Sequence, residues 1–402
     1  MTTSRGAEHG RGPVLLGLVT LVLFTDMVIY DLIIPILPNY ARSWGISELS
    51  LGLLFGAYAA ALLLSVPVAG RLCDRLGVVR TMQLGVAGLS LSQLLYVFAD
   101  GQAMLFAARA FQGFASGTAW AAGMALLALS YPAGQRGKVL GMAMSGMSLG
   151  TLVGPPLGGL LFTWGGPHCP FLVTGGWTLL LAVAVAFLPA GLCRCPAGEG
   201  KLLLTGWTDY LLIAGIVVIG SMMLSGLEPT LPIHLELKLG AGPAQVGILF
   251  GLAALVYGVA APLAGWASDR WGARPVMAAG LVACVLLLPV VALPRTLAGE
   301  MVALAAFGVA CAILLTPTLP ELAAACERSR AGGFGGAYAV FNLAQATGMV
   351  AGPVVGGMLK PALGFVLMLL TFSAVAALYL PLLLRRGRPA DADQEAPPAR
   401  AA

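Results

Sequence analysis

Apolar runs of about 20 residues recur along this chain, separated by short polar breaks. They fall at roughly 14–37, 51–69, 81–98, 103–129, 139–162, 171–192, 209–231, 245–264, 276–293, 299–325, 335–358 and 363–384. A helix needs about 20 apolar residues to cross the hydrocarbon of a bilayer. Inside that hydrocarbon every backbone N–H and C=O must find a partner within the protein, which a helix supplies by itself. The pattern predicts an all-α integral membrane protein with twelve transmembrane helices. The first run is too long for the apolar core of a signal peptide and has no convincing small-residue cleavage site, so it is read as the first helix.

The breaks between runs repeat. Gly70, Asp74, Arg75, Gly77 and Arg80 recur as Gly265, Asp269, Arg270 and Gly272, 195 residues on, with Arg274 one place early. Gly150-TLV-Gly154-Pro155-PL-Gly158-Gly159 recurs as Gly348-MVA-Gly352-Pro353-VV-Gly356-Gly357, 198 residues on. Pro35-IL-Pro38 recurs as Pro229-TL-Pro232, 194 residues on. Three motifs at nearly one spacing imply two homologous halves laid end to end. In a membrane chain, such halves mark a secondary transporter whose substrate site lies between them. The expected organisation is a cytoplasmic tail at 1–12, a six-helix bundle at 13–192 and a cytoplasmic linker at 193–208. A second six-helix bundle follows at 209–384, then a Pro/Ala-rich, charged and disordered cytoplasmic tail at 385–402.

Composition agrees: apolar residues make up 59% of the chain and charged residues 10%, where a soluble domain has about 25% charged. With the N-terminus in the cytoplasm, all but five of the 22 Lys and Arg fall on the cytoplasmic side. Arg42, Lys238, Arg295 and Lys360 face outward, and Arg109 lies within a span. This asymmetry places both termini inside. The net charge of +5 is therefore a topology signal and implies no nucleic-acid partner. Only Cys169 of the seven cysteines is expected to face outward, so no disulfide framework follows. Cys193-x-Cys195 has no second pair, and the chain has three His, so no metal site is expected. The outward loops are short and no extramembrane domain exists to carry enzymology, so no enzyme is expected.

A charge at the centre of a spanning helix costs roughly 2.5–3.5 kcal/mol on insertion scales, so each should have a function or a partner. Asp26 and Asp31 lie in the first run, about 140° apart around a helix, and cannot share a face well. One is expected to face a cavity and the other to pair structurally; Asp26, the deeper, is read as the site carboxylate. Glu228 immediately precedes the Pro229-x-x-Pro232 pair, where missing backbone donors loosen a helix. A carboxylate there can hold a cation or a proton; the competing reading is a hydrated carboxylate near the outer interface. Arg109 does not deprotonate, so it cannot carry the proton itself. It can act on a neighbouring carboxylate, sit in a structural ion pair, or both. Glu321 follows the loosened stretch Thr316-Pro-Thr-Leu-Pro320. Glu327, near Arg328 and Arg330, can equally be a solvated interfacial group.

The duplicated loops are read as gating elements. Gly70 and Gly77 permit a sharp return and close helix approach. Asp74 and Asp269, each before an Arg (Arg75, Arg270), are expected to pair with a helix N-terminus or an Arg of their half and lock one conformation. Gly154, Pro155, Gly352 and Pro353 carry no charge. They are expected at the interface between halves, where small residues let helices approach and Pro bends them.

Together these elements resemble the major facilitator superfamily. Arg109-x-x-Gln112-Gly113 and Gly154-Pro155-Pro156-x-Gly158-Gly159 are similar to its drug:proton antiporter branch. Phe24-Thr-Asp26…Ile34-Pro35-Ile-Leu-Pro38, the run from Gly154 through Pro170-Phe171-Leu172-Val173, and Leu227-Glu228-Pro229-Thr-Leu-Pro232-Ile233 resemble the vesicular amine transporters, carriers of monoamines, acetylcholine and polyamines. The resemblance covers nearly all of 14–384. It implies exchange of protons for a cytoplasmic organic cation. It puts the family's substrate carboxylate on Asp26, its seventh-helix carboxylate on Glu228 and its arginine on Arg109. The tenth-helix aspartate falls on Glu327, with Glu321 as neighbour. The chain departs from the family where Met27 replaces an Asn, Tyr58 replaces a second-helix Lys and Asn342 replaces an eleventh-helix Asp. The long glycosylated outer loop is also absent. These departures weigh against monoamine specificity and suggest a bacterial relative with a broader or different cationic substrate.

The expected activity is proton-coupled antiport that exports organic cations, whether amines, polyamines or cationic drugs, by alternating access. The expected setting is a monomer in a bacterial inner membrane, with the proton gradient as energy source and no cofactor. Proton-coupled import of a neutral or anionic nutrient would want few acids in the second half, yet Glu228 and Glu321 lie there. A non-transporting receptor or scaffold would have no reason to keep the intramembrane charges and both gating loops.

Overall fold

The computed structural model describes residues 12–189, 207–328 and 334–385. The expected tails, most of the linker and Cys193-x-Cys195 lie outside the described residues. The first rod is α1 (Gly12–Asp31), a 3-10 turn (Ile34–Ile36) and α2 (Leu37–Trp44). Then come α3 (Glu48–Leu76), α4 (Val78–Val97), α5 (Gln102–Ser130), α6 (Ala133–Gly165) and α7 (Cys169–Ala186). The second half holds α8 (Trp207–Leu239), α9 (Pro243–Trp271), and α10 (Ala273–Leu287) with a 3-10 turn (Pro289–Ala292). Next is a broken rod of α11 (Leu297–Leu315) and α12 (Thr318–Arg328), then α13 (Phe334–Leu363) and α14 (Phe365–Arg385). Joined across their breaks, these are twelve transmembrane rods, and no strand occurs among the described residues. Ten are long and apolar enough to span by composition alone. The two others, α4 and α6, carry more polar or small residues. In α4 these are bonded within the protein: Gln83 Nε2 donates to the Val185 carbonyl at 3.0 Å, and Thr174 Oγ1 to Gln93 Oε1 at 3.0 Å.

Proline has different consequences in different rods. Pro35, which lacks a backbone N–H, sits in the 3-10 turn that ends α1. Pro317 lies in the break between α11 and α12. The loosening expected at Pro229 and Pro232 produces no break, and α8 runs unbroken from Trp207 to Leu239. Spanning helices tolerate proline when neighbouring groups satisfy the freed backbone. In α8 the freed carbonyls are those of Ser225 and Glu228, four residues before each proline, and the helix continues through both.

Each half buries its own core. One is centred on Val19, Leu23, Met82, Val86 and Leu126, the other on Ile216, Met223, Leu281, Phe307 and Phe372. The duplicated glycine runs explain how the rods pack. A Cβ on Gly150, Gly154 or Gly158 would strike the first rod, and one on Gly348 or Gly352 would strike α8. So these glycines seat the first rod of their own half; Gly154 and Gly352 are not at the interface between halves, where the sequence put them. Pro155 and Pro353 are. The Pro155 and Pro353 carbonyls press on Gly247 of α9 and Gly52 of α3, and Gly159 and Gly357 meet Pro243 and Glu48 across the same boundary. Every four residues returns a side chain to nearly the same helix face, so one run serves two seams.

These seams close the end of the molecule opposite the termini. Two ion pairs reinforce it across the halves: Arg42 of α2 with Glu236 of α8, and Lys360 of α13 with Glu48 of α3, the latter at 2.8 Å. Lys360, expected in an outward loop, is instead 7% exposed. At the other end, Gly77 and Gly272 each link two helices through a single residue with φ of 87° and 89°, a conformation that favours glycine. The expected close approach at Gly70 does not occur, for nothing lies within 4 Å of a Cβ built there. Nor do Asp74 and Asp269 find the expected lock: both are exposed, and among the described residues neither has an ion pair or side-chain hydrogen bond. The halves are held together at the far end, which leaves these loops nothing to lock.

Candidate functional site

The break after Asp31 ends α1 in the middle of its rod, and the last turn brings Asp26, Tyr30 and Asp31 inward. Asp26 and Tyr30 are one helical turn apart and share a face. Asp26 is 2% exposed, and its Oδ2 accepts from Ser116 Oγ of α5 at 2.6 Å. Ser116 has one hydroxyl proton, which that bond uses. Tyr58 of α3 must therefore be the donor in its 2.8 Å contact with Ser116. Asp31 is also buried, but its Cβ packs against Gly154 of α6. The two carboxylates thus face different helices, as their angular separation requires.

Arg109 and Gln112 lie three apart on α5 and share a face. Arg109 is fully buried. Its Nη1 donates to the Tyr30 carbonyl and to Gln112 Oε1, both at 3.1 Å, and Tyr96 donates to the same Gln112 oxygen at 2.9 Å. The guanidinium carbon lies 4.6 Å from the Tyr30 and Phe55 ring centroids and 4.9 Å from that of Tyr58. A desolvated cation–π contact is worth about 2 kcal/mol, so three faces offset much of the cost of burying this cation. Among the described residues no carboxylate comes within ion-pair distance of it. The structural ion pair considered for Arg109 is replaced by an aromatic cage. The guanidinium still acts through space on Asp26, Asp31 and Glu228.

Glu228 comes from the other half. Its Oε2 accepts from the Tyr30 hydroxyl at 2.7 Å. The Tyr30 and Tyr58 rings lie 4.5 Å apart. The two hydroxyls therefore reach from one aromatic pair to two carboxylates, Asp26 through Ser116 and Glu228 directly. Among the described residues several atoms here have no hydrogen-bond partner: Asp26 Oδ1, Asp31 Oδ2, Arg109 Nε and Nη2, and Gln112 Nε2. Buried polar atoms are normally bonded, so five unpaired ones in one cluster indicate capacity to bind water, protons or a polar ligand. The cluster holds three carboxylates against one guanidinium, which favours a cation.

Asp26, Tyr58, Arg109 and Glu228 are thus brought together. Glu321 is not among them; its carboxylate lies 3.7 Å from Arg274, at the start of α10. It lies on α12, the separate helix that follows the Pro317 break. The side chain of Glu327 lies outside the described residues. Asn342 is half-buried on α13. Sequence reasoning missed Tyr30, Phe55 and Ser116. Two of them were discoverable by spacing: Tyr30 is one turn from Asp26, and Ser116 one turn from Gln112 on the face of Arg109. Phe55 carries no polar signal. Among the described residues no cluster of His, Cys, Asp and Glu could hold a metal ion.

The family model described as Major Facilitator Superfamily matches residues 19–194 and 211–401. The probable vesicular acetylcholine transporter-B of Danio rerio is 29% identical over 92% of this chain and 78% of its own length. The chromaffin granule amine transporter of Rattus norvegicus is 30% identical over 83% of this chain and 64% of its own. The chain thus spans just under two thirds of that rat relative. A crystal structure of a bacterial homolog of the human lysosomal transporter Spinster, inward-facing and occupied, matches with a TM-score of 0.79. At 17% identity over 93% of this chain and 97% of the other, that likeness shows the fold alone. This chain belongs to the Major Facilitator Superfamily: it is a multi-pass membrane transporter, not an enzyme, and it resembles the vesicular amine and acetylcholine carriers.

Proposed function

We propose that the chain exchanges protons for a small organic cation, an amine, polyamine or cationic drug, and exports it as a monomer across a bacterial inner membrane. One observation carries the reading. Carboxylates from opposite halves, buried Asp26 and half-buried Glu228, are tied to one pair of tyrosines, Tyr58 and Tyr30. A cation between them meets charge from both halves in a medium where attraction is stronger than in water. A proton on the same oxygens removes that charge. One site with two mutually exclusive ligands is the simplest form of antiport. The names of the vesicular relatives support the cationic class. The test is transport in proteoliposomes with an imposed pH gradient, screened against radiolabelled amines and lipophilic cations. Uptake of a neutral sugar, with no cation moved, would overturn the reading.

Cation binding is expected to weaken as pH falls. The sign follows from the competition: at low pH the carboxylates hold protons and the cation loses its partners. Linkage requires the reverse effect, so adding the cation should release protons. Equilibrium binding between about pH 5 and 8, with proton release in weakly buffered detergent, measures both. Affinity indifferent to pH would exclude shared carboxylates.

Asp74→Asn and Asp269→Asn are expected to slow turnover while leaving cation affinity within about twofold. Neither carboxylate has a described partner in this conformation, so their replacement acts on the alternate one. Binding and turnover measured side by side decide; a large affinity loss at normal turnover would contradict this.

A further inference from the structure

Among the described residues, three polar side-chain contacts cross between the halves. Two are the ion pairs at the closed end. The third, Tyr30 Oη to Glu228 Oε2 at 2.7 Å, lies at the site itself. Resting on the reading of Glu228 above, we propose that Tyr30 is a positioning residue that latches the halves together when the carrier is empty and releases them when either ligand occupies Glu228.

Tyr30 is suited to this by its fixed position. Its carbonyl accepts from Arg109 and its ring lies on the guanidinium and beside Tyr58, so α3 and α5 hold the phenol in place. The hydroxyl reaches the other half. A hydrogen bond to an ionised carboxylate is roughly twice as strong as one between neutral groups. The bond is therefore strong when Glu228 is ionised and unoccupied, and weak once Glu228 carries a proton. A substrate cation drawn to the same carboxylate competes with the phenol in the same way. The charged and titratable groups facing Glu228 are Tyr30 and Asp31 from α1 and Arg109 from α5. Arg109 stays charged, and Asp31 packs against Gly154 of α6 within its own half. An antiporter must not reorient empty, and a latch that opens only for a loaded carrier enforces that rule.

The experiment uses protons as the sole ligand. Spin labels at exposed Ser43 of the first half and Arg295 of the second report the separation of the halves at the closed end, in a background lacking accessible native cysteines. In the parent chain the open population should rise as pH falls from about 8 to 5.5. Losing a hydrogen bond to a charged group shifts an equilibrium about tenfold. Tyr30→Phe, which keeps the ring on Arg109, should therefore raise the open-to-closed ratio about tenfold at pH 8 and flatten its pH dependence. Glu228→Gln should flatten it as well. If Tyr30→Phe keeps the parent's distances and pH response while Glu228→Gln loses them, the latch is wrong and the role of Glu228 stands. If both keep the response, the reading of Glu228 falls with it. A Tyr30 serving only the fold would destabilise both conformations and leave the pH response of their ratio intact.

Discussion

Asp26→Asn is expected to abolish cation transport in a folded protein. Asn has nearly the shape of Asp, and its side-chain oxygen can still accept the hydroxyl of Ser116, so the link to Tyr58 survives. What is lost is the charge. At 4 Å and an effective dielectric of about 20, one such attraction is ~4 kcal/mol, about a thousandfold in binding. Asp26 Oδ1, which has no hydrogen-bond partner among the described residues, is the oxygen open to a ligand. Uptake in proteoliposomes, read beside thermal stability and elution in detergent, measures the effect. Transport at the parent rate would remove Asp26 from the site and leave Asp31 as the first-rod carboxylate to examine.

Glu228→Gln is expected to uncouple transport from protons. Gln keeps an oxygen that accepts from Tyr30 but binds no proton in the working range, so occupancy of this position stops reporting pH. Downhill exchange of cation for cation should persist within about tenfold, because Asp26 still attracts the substrate. Accumulation against an imposed pH gradient should disappear. The measurement is one set of vesicles assayed with and without the gradient. Gradient-driven accumulation in the mutant would assign the coupling proton to another carboxylate. Asp31 is the nearest alternative, since it faces Glu228 electrostatically from α1. The two substitutions differ in kind: Asp26 is held within its own half, through Ser116 on α5, whereas among the described residues Glu228 takes its side-chain hydrogen bond from the opposite half.

The sequence by itself determined the membrane fold. Hydrocarbon forces backbone groups to pair within a segment, so the spacing of apolar runs already specified twelve rods, and the duplicated motifs divided them into two halves. It also picked out Asp26, Arg109 and Glu228, because a charge in such a run is costly enough to be a signal. Only the tertiary structure decided what each charge meets. Arg109 lies against Tyr30, Phe55 and Tyr58 rather than a carboxylate, and Glu321 turns to Arg274, because packing between distant rods selects partners that periodicity cannot rank. Pro35 sits where α1 ends while Pro229 leaves α8 whole, a difference invisible in two nearly identical Pro-x-x-Pro strings. The cross-half contacts of Tyr30 with Glu228, Arg42 with Glu236 and Glu48 with Lys360 join residues about 200 to 300 positions apart. They exist only because the seams between α3 and α13 and between α6 and α9 close this end of the molecule.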